Sequence, residues 1–309
     1  MKFIFGPVPS RRLGRSLGIS PIPEKTCNYT CIYCQLGRTT HFTNTREKFF
    51  PVEDILAELE QALEQEREID FITIVGEGEP TLYEDLELLI SGIKDLSSIP
   101  IAVITNGALL YKVDVRKSLL ESDVIMPTLD AYSEKMFRKI NRPHKEIKLE
   151  KVIEGFKEFR KIYSNQIWLE VMLIKDVNDD IQSLKEIRKI IDQLNVDRVY
   201  INVPIRPPAE SWVEIPPTFK LSEAQEILNA ESIAHFEEIL IESVDRETTP
   251  ENQIINILKR HPLRNEQIHT LFPEISKKEI EELLDEMKEK GIIESISYHN
   301  KIFWKSKIK

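Results

Sequence analysis

Two hydrophobic periodicities alternate along the first two thirds of the chain. Short apolar runs, typical of buried strands, begin at Ser16 (SLGISPI), Phe71 (FITIV), Ile101 (IAVIT), Asp123 (DVIMPTL), Ile167 (IWLEVMLI) and Val199 (VYINV). Between them, apolar residues recur every three or four positions, which is the spacing of amphipathic helices. The predicted helices lie at 52–65, 83–96, 148–163 and 180–194.

Repeated strand–helix units predict a parallel sheet with right-handed crossovers. About six such units fit between residues 15 and 205, too few for a complete eight-stranded barrel. We therefore expect an α/β fold built on an incomplete (β/α)6 barrel. Ligands of such folds bind at the carboxyl ends of the strands.

The pattern changes beyond residue 205. Residues 205–217 are rich in proline and predict an extended connection. Further stretches with helical spacing lie at 221–239, 251–261, 264–272 and 276–291, and two strand-like runs follow at 292–298 and 301–305. Three helices and a hairpin are the winged-helix order. The predicted units are a barrel domain (1–215), a connecting segment (216–245) and a small winged-helix-like domain (246–309).

Composition narrows the classes of function. The chain has 309 residues and a formal net charge of −10. Proteins that bind a nucleic-acid backbone usually carry a basic surplus, so duplex DNA is not an expected partner. No apolar run reaches the ~18 residues that span a bilayer, and the apolar start of the chain is too short for a secretory signal. We expect a soluble, cytoplasmic protein with no membrane partner.

The candidate chemistry lies in three cysteines. Cys27, Cys31 and Cys34 are the only cysteines of the chain and have the spacing C-x3-C-x2-C. An odd, tightly clustered set predicts a metal or cluster site and not a disulfide framework. Three thiolates can hold three irons of a cubane cluster, whose fourth iron then remains open to an external amine and carboxylate. The alternative is a structural zinc site with His41 as the fourth ligand.

Four segments together resemble the radical SAM superfamily, whose members use S-adenosylmethionine (SAM). They occur in the family's order, each at or near a predicted strand end, and the resemblance covers residues 8–205. The segments are the cysteine motif with Tyr33, the turn Gly76-Glu77-Gly78-Glu79-Pro80, the turn Ile104-Thr105-Asn106-Gly107 and the strand that carries Glu170. Residues 6–39 are similar to an uncharacterised "Fe–S oxidoreductase" group, distantly similar to the enzymes that form the wyosine base of tRNA.

The resemblance implies a [4Fe–4S] cluster on the three cysteines and SAM as the second cofactor. It implies SAM contacts at Tyr33, Gly78, Glu79, Pro80, Thr105, Asn106 and Glu170. The family pattern is Gly-Gly-Glu-Pro, and Glu77 stands where its first glycine is expected. Either Glu77 or Glu79 could therefore face the SAM ammonium group, and we favour Glu79. Core packing of Tyr33, plain turns and a core ion pair of Glu170 are the structural alternatives.

Polar residues near the strand ends are candidates for binding the substrate. Arg11, Arg12 and Arg15 precede the first predicted strand and could bind a phosphate or carboxylate. A solvated ion-pair cluster is the alternative. The other candidates follow later strands, namely Asp130, Asn141, Arg142, His144, Asn202 and Arg206.

The resemblance predicts an enzyme that cleaves SAM reductively to a 5′-deoxyadenosyl radical and modifies a substrate such as a tRNA base or nucleotide. It implies an electron donor such as a ferredoxin or flavodoxin; the individual catalytic residues remain unassigned. One alternative is modification of a peptide or small metabolite, and another is a zinc-dependent winged-helix transcription regulator. In the last predicted helix, 276–291, four lysines stand against six acidic residues, which favours docking to a protein or substrate, or a structural cap, over duplex binding.

Overall fold

The computed structural model describes residues 2–65, 68–232 and 249–307. The strands are β1 (Ile4–Ser10), β2 (Gly14–Ile19), β3 (Thr26–Cys27), β4 (His41–Phe42), β5 (Phe71–Val75), β6 (Ile101–Thr105), β7 (Val124–Pro127), β8 (Gln166–Met172), β9 (Arg198–Asn202), β10 (Glu231–Ser232), β11 (Leu263–Arg264), β12 (Ile293–Tyr298) and β13 (Lys301–Ser306). The α-helices are α1 (Val52–Leu63), α2 (Leu86–Leu96), α3 (Val113–Ser118), α4 (Glu134–Ile140), α5 (Leu149–Ile162), α6 (Ile181–Leu194), α7 (Thr218–Leu228), α8 (Pro250–Arg260), α9 (Asn265–Leu271) and α10 (Lys277–Glu289).

An eight-stranded sheet organises the larger part of the fold, in the order β1-β2-β5-β6-β7-β8-β9-β10. β1 pairs antiparallel with β2, and all later neighbours in the sheet are parallel. The predicted α/β fold with a parallel sheet is confirmed, since the six predicted strands correspond to β2 and β5 to β9. Within the described ranges the edge strands β1 and β10 do not pair with each other, so the sheet is open.

The crossover helices form because their sequences carry both an apolar stripe and end signals. In α6 the stripe is buried and consists of Leu184, Ile187, Ile191 and Leu194. The Asp180 side chain caps the amino end by accepting a hydrogen bond from the Ser183 backbone N–H at 3.0 Å. Asn195 ends the helix with a left-handed φ of 50°. Such caps fix the residues at which a crossover helix begins and ends, and so fix the position of the strand that follows it.

The connecting segment differs from its prediction. The predicted helix 221–239 is wrong at residues 229–232, because Asn229 adopts a left-handed φ of 49° and β10 begins at Glu231. Residues 233–239 of that predicted helix and residues 233–245 of the predicted connecting segment lie outside the described residues.

Residues 249–307, here called the C-terminal segment, contain α8 to α10 and an antiparallel sheet in the order β11-β13-β12. They form their own apolar cluster, against which Val8 of β1 packs. The predicted order of helices and hairpin is present, and membership in the winged-helix class stays a prediction. Among the described residues, no helix is both long and apolar enough to cross a membrane.

Candidate functional site

The three cysteines lie on the loop that follows the carboxyl end of β2 (residues 27–34, the cysteine loop). All three thiols are free and partly buried. The backbone N–H of Tyr29 points at Cys27 Sγ at 3.3 Å, and the Asn141 amide nitrogen lies 3.7 Å from Cys31 Sγ. Burial raises the pKa of each thiol, because a buried thiolate loses its hydration. A bound metal cation favours the thiolate form and so offsets the cost of burying it. Three buried thiols therefore fit an iron–sulfur cluster.

The zinc alternative required His41 as a fourth ligand. His41 is exposed in β4, with Nδ1 3.4 Å from Thr26 Oγ1. Within the described part of the chain, no three His, Cys, Asp or Glu side chains are grouped so that they could hold one metal ion. In a cubane cluster each thiolate binds a different iron, so the ligands need not converge on one point.

Glu79 is the centre of a buried hydrogen-bond network at the ends of β5 and β6. Its Oε1 accepts hydrogen bonds from the Thr81 backbone N–H at 3.0 Å and from the Thr81 and Thr105 hydroxyls at 2.6 Å each. Its Oε2 accepts one from the Asn106 backbone N–H at 2.7 Å. Glu79 is 1% exposed, and burial raises its pKa while these donors oppose the rise. The carboxylate thus joins both predicted SAM-binding turns.

Gly78 brings the cysteine loop against the same turn. A Cβ at residue 78 would lie 1.8 Å from the Thr26 carbonyl oxygen, one residue before Cys27. The Glu79 backbone N–H donates to that oxygen at 3.0 Å. Close backbone approach therefore requires glycine here, and Pro80 follows at the start of a 3-10 turn, Pro80–Leu82.

Glu77 has a different partner. Its Oε1 lies 3.2 Å from Arg260 Nε at the end of α8, and both side chains are largely buried. Glu77 therefore binds the C-terminal segment, whereas Glu79 binds the turn after β6. A contact of Glu79 with the SAM ammonium group stays a prediction.

Asn106 connects this network to the cysteines. Its amide nitrogen lies 3.8 Å from Cys27 Sγ and donates to Asn28 Oδ1 at 2.7 Å. Asn28 is fully buried and was not predicted as a site residue; its place inside the cysteine motif was the available signal.

A second buried network lies on the other side of the cysteine loop. The Tyr33 hydroxyl donates to Asp130 Oδ2 at 2.6 Å, the Asn141 amide donates to the same oxygen at 2.7 Å, and the Met172 backbone N–H donates to Oδ1 at 2.8 Å. Burial raises the pKa of Asp130 to about 6, and these donors oppose the rise. The loop is thereby connected to β8 and to the residues after β7.

The three predicted arginines separate in the structure. Arg12 forms an ion pair with Glu170 of β8, which is the core ion pair considered for Glu170. Arg15 is half-exposed and pairs with Glu68 and Asp70. Its neighbour Ser16 faces the inside of the sheet, so strand alternation turns Arg15 outward. Of the three, Arg12 is largely buried, whereas Arg11 is exposed and lines the cavity described below.

Arg142 and His144, two further candidates for binding the substrate, contact loop residues around the cysteines and do not line the cavity described below. The Arg142 guanidinium pairs with Glu210 at 2.5 Å, and Arg38 pairs with the same carboxylate at 3.0 Å. The His144 backbone N–H donates to the Asn28 carbonyl at 2.8 Å. Both therefore stabilise the loops around the cysteines.

A cavity of about 730 Å³ lies inside the sheet and extends to the C-terminal segment. We call it the basic cavity. Its lining on the barrel side includes Arg11, Arg12, Tyr33, Cys34, Asn202 and Arg206. Its lining from the C-terminal segment includes His261, Arg264, Tyr298, His299 and Lys301. The basic cavity therefore contacts Cys34 of the cysteine loop, Asn202 at the end of β9, and residues near both ends of the C-terminal segment.

Gln35, one residue after Cys34, was also missed by the sequence analysis. Its Oε1 accepts from Arg206 Nη1 at 2.9 Å, and its Nε2 is 2.9 Å from His261 Nδ1 and 3.2 Å from the Arg260 carbonyl oxygen. Burial and the nearby Arg206 and Arg260 lower the pKa of His261 to about 3, so the ring is neutral. The pairing joins residues 35 and 261, which no local pattern could predict.

Comparisons with known proteins identify the family to which the chain belongs. The radical SAM superfamily matches residues 22–194. The UPF0026 protein of Methanocaldococcus jannaschii is 35% identical over 100% of this chain and 97% of its own length. A protein named GTPase Obg from Brachyspira hyodysenteriae is 39% identical over 94% of this chain, which spans only 43% of that protein.

Among solved structures, a radical SAM methyltransferase from Sphaerobacter thermophilus has a TM-score of 0.54 at 16% identity, covering 70% of this chain and 65% of its own. At that identity the likeness concerns the fold. The superfamily match spans more than half of the chain and includes all three cysteines, Glu79 and Asn106. The chain therefore belongs to the radical SAM superfamily.

Proposed function

We propose that this enzyme cleaves SAM reductively at a [4Fe–4S] cluster on Cys27, Cys31 and Cys34 and modifies a nucleotide, either free or as a base of tRNA. Superfamily membership implies the cluster and SAM as cofactors. The three cysteines would hold the cluster, and the reduced cluster would pass one electron, received from a donor such as ferredoxin or flavodoxin, to SAM for cleavage of its S–C5′ bond and removal of a hydrogen atom from the substrate.

The observation that carries the proposal is that the cysteine loop and the basic cavity are contiguous. Tyr33 and Cys34 line the same cavity as Arg11 and Arg206. A ligand in this cavity therefore lies next to the cluster loop and against guanidinium groups suited to phosphate. Substrate position relative to the reacting group is what the protein must supply in cofactor enzymes.

The chain's own residues have separable roles in this proposal. Glu79 and Asn106 hold the two turns that flank the cluster loop, through the hydrogen bonds from Thr105 and to Asn28. Asp130 orients the Tyr33 ring. The C-terminal segment supplies His261, Arg264 and Tyr298 to the cavity lining and so limits the access of water to it.

The C-terminal hairpin also bears on the transcription-regulator alternative. Tyr298, His299 and Lys301, at the hairpin tip, line the cavity. The Tyr298 hydroxyl donates to the Pro204 carbonyl at 2.7 Å. The hairpin tip therefore contacts the basic cavity and the loop after β9. This supports an enzymatic role for the C-terminal segment over duplex binding.

The test is a comparison of a strain lacking the protein with one that expresses it again. Hydrolysed tRNA and the free nucleotide pool are analysed by mass spectrometry in both. We expect a modified nucleoside or nucleotide to disappear in the deletion strain and return with the wild-type chain but not with Cys31→Ala. Identical nucleoside and nucleotide profiles, together with a change in a peptide, would contradict the nucleotide assignment.

A further inference from the structure

The charge of the basic cavity is strongly one-sided. Its lining contains four arginines and one lysine, namely Arg11, Arg12, Arg206, Arg264 and Lys301. Among the described residues that line it, none is Asp or Glu. Glu170 neutralises Arg12 by an ion pair. In the described ranges, no carboxylate forms an ion pair with Arg11, Arg206 or Arg264.

Holding these guanidinium groups together has an electrostatic cost. Burial lowers the pKa of Arg206 to about 10, with Arg11 and Arg264 adding to the effect. Partial burial also lowers the pKa of Arg11, which lines the cavity but keeps an exposed side chain. Like charges that are partly removed from water and share one cavity repel each other, and an anion between them relieves both penalties. The cavity is therefore built for a ligand with more than one negative charge.

We propose that the basic cavity binds a phosphate-bearing group of the substrate between Arg11 and Arg206 of the barrel and Arg264 of the C-terminal segment. This inference rests on the proposed function and extends it, because it makes the C-terminal segment part of the substrate site. A phosphate or diphosphate carries the multiple charge that a single carboxylate lacks. Guanidinium groups bind phosphate oxygens in pairs.

The contacts around Arg206 suit that role. Arg206 has five N–H donors, and one of its hydrogen bonds goes to Gln35 Oε1. Gln35, one residue after the cysteine loop, is itself held by His261 and the Arg260 carbonyl at the end of α8. These contacts fix the orientation of the Arg206 side chain. Among the residues that the structure describes, none accepts a hydrogen bond from its other donors, which can therefore bind a ligand in the cavity.

The dimensions limit the ligand to a small molecule or a single nucleotide unit. A volume of 730 Å³ lies within the roughly 300–1,000 Å³ of small-molecule sites. Tyr298 fixes the hairpin tip on the loop after β9, so the C-terminal segment contacts such a ligand while it lies near the cysteines.

The test measures binding of inorganic pyrophosphate to the anaerobic, cluster-containing enzyme by titration calorimetry. We expect saturable binding to the wild type and a loss of about tenfold or more in Arg206→Gln and in Arg264→Gln, the equivalent of one charge-assisted hydrogen bond. Arg15→Gln is the matched control, since Arg15 is a half-exposed arginine paired with Glu68 and Asp70, and it should bind like the wild type. Arg206→Lys keeps the charge without the planar fork and should bind with intermediate affinity.

Iron content and melting temperature of each variant identify misfolded protein, and Arg264→Gln provides a second site if Arg206→Gln does not fold. Absence of pyrophosphate binding by the wild type, or equal affinity in the wild type and a folded Arg264→Gln variant, would overturn the inference. If the wild type fails to bind pyrophosphate and an arginine variant loses SAM affinity, the inference is also overturned. In that case the arginines serve the SAM carboxylate. Formation of 5′-deoxyadenosine by the wild type and Arg15→Gln tests the proposed function separately.

Discussion

Arg260 at the end of α8 forms a largely buried ion pair with Glu77 in the turn after β5, with Nε 3.2 Å from Oε1. Arg260 also donates to the Lys2 carbonyl at 2.8 Å, and its guanidinium lies over the Phe5 ring. Glu77 is the residue that departs from the Gly-Gly-Glu-Pro pattern, and its partner explains the departure. The turn after β5, which packs against the cysteine loop, also binds the C-terminal segment through this ion pair.

Removing both partners of this pair should destabilise the protein by less than the sum of the two single removals. Glu77→Gln or Arg260→Gln leaves a buried charge uncompensated, at a cost of about 3 kcal/mol each in the free energy of unfolding. The double variant should lose less than the sum of the two. Thermal unfolding of the four proteins checks this, with the exposed pair Lys278–Glu282 as a control worth about 0–1 kcal/mol. Additive losses at residues 77 and 260 would show that the pair is not coupled.

Gly78→Ala should prevent the cysteine loop from packing against the turn after β5. The added Cβ meets the Thr26 carbonyl, which is backbone and cannot rotate away. We expect little folded protein or a loss of iron after reconstitution. Gly76→Ala is the matched control, because the only atoms within 3.0 Å of its Cβ belong to the Ile22 side chain and not to the backbone. Equal iron content in wild type and Gly78→Ala would contradict the packing argument.

Glu79→Gln should lower SAM affinity while the three cysteines still hold a cluster. The amide replaces one carboxylate oxygen by a donor, so at least one of the four donors from Thr81, Thr105 and Asn106 loses its acceptor. We expect about tenfold weaker SAM binding, from the loss of a charge-assisted hydrogen bond. Titration of SAM against the EPR signal of the reduced cluster measures it. Unchanged affinity here, with a loss in Glu77→Gln, would assign the role to Glu77.

The sheet was predictable because its strands carry local signals. β5 and β6 are continuous β-branched runs and occupy the predicted residues 71–75 and 101–105. β1 was missed because Gly6, Pro7 and Pro9 interrupt its pattern, and an edge strand tolerates such residues. The short helices α3 and α4 were missed because each buries only two residues, Val115 and Ser118 in α3 and Phe137 and Ile140 in α4, too few to show a helical period.

The cluster loop was predictable from spacing, whereas the cavity was not. Cys27, Cys31 and Cys34 lie within eight residues, so a local motif is sufficient. The basic cavity joins Arg11, Arg206 and Arg264 from three distant parts of the chain. The sequence grouped Arg11 with Arg15 because they are neighbours, but Arg11 lies in the turn between β1 and β2, whereas Arg15 lies in β2.

Asp130 should take up a proton at about pH 6, well above its ordinary pKa of 3.8. Since the folded state binds this proton more tightly than the unfolded state, ionised Asp130 costs stability at neutral pH, and the cost falls as the pH drops from about 6 to about 4. Difference infrared spectroscopy should show a protonated-carboxyl band that grows as the pH falls through 6 and is missing in Asp130→Asn. A band that appears only near pH 4 would contradict the burial argument.

The most direct measurement of the central claim is 5′-deoxyadenosine formation by anaerobically reconstituted protein with SAM and dithionite. The wild type should contain iron and sulfide and form 5′-deoxyadenosine, because the three free thiols at residues 27, 31 and 34 hold the cluster. Cys27→Ala, Cys31→Ala and Cys34→Ala should each lose the cluster and the product, since the chain has no fourth cysteine to replace the missing ligand. Full cluster occupancy or wild-type 5′-deoxyadenosine formation in any of the three variants would contradict the account.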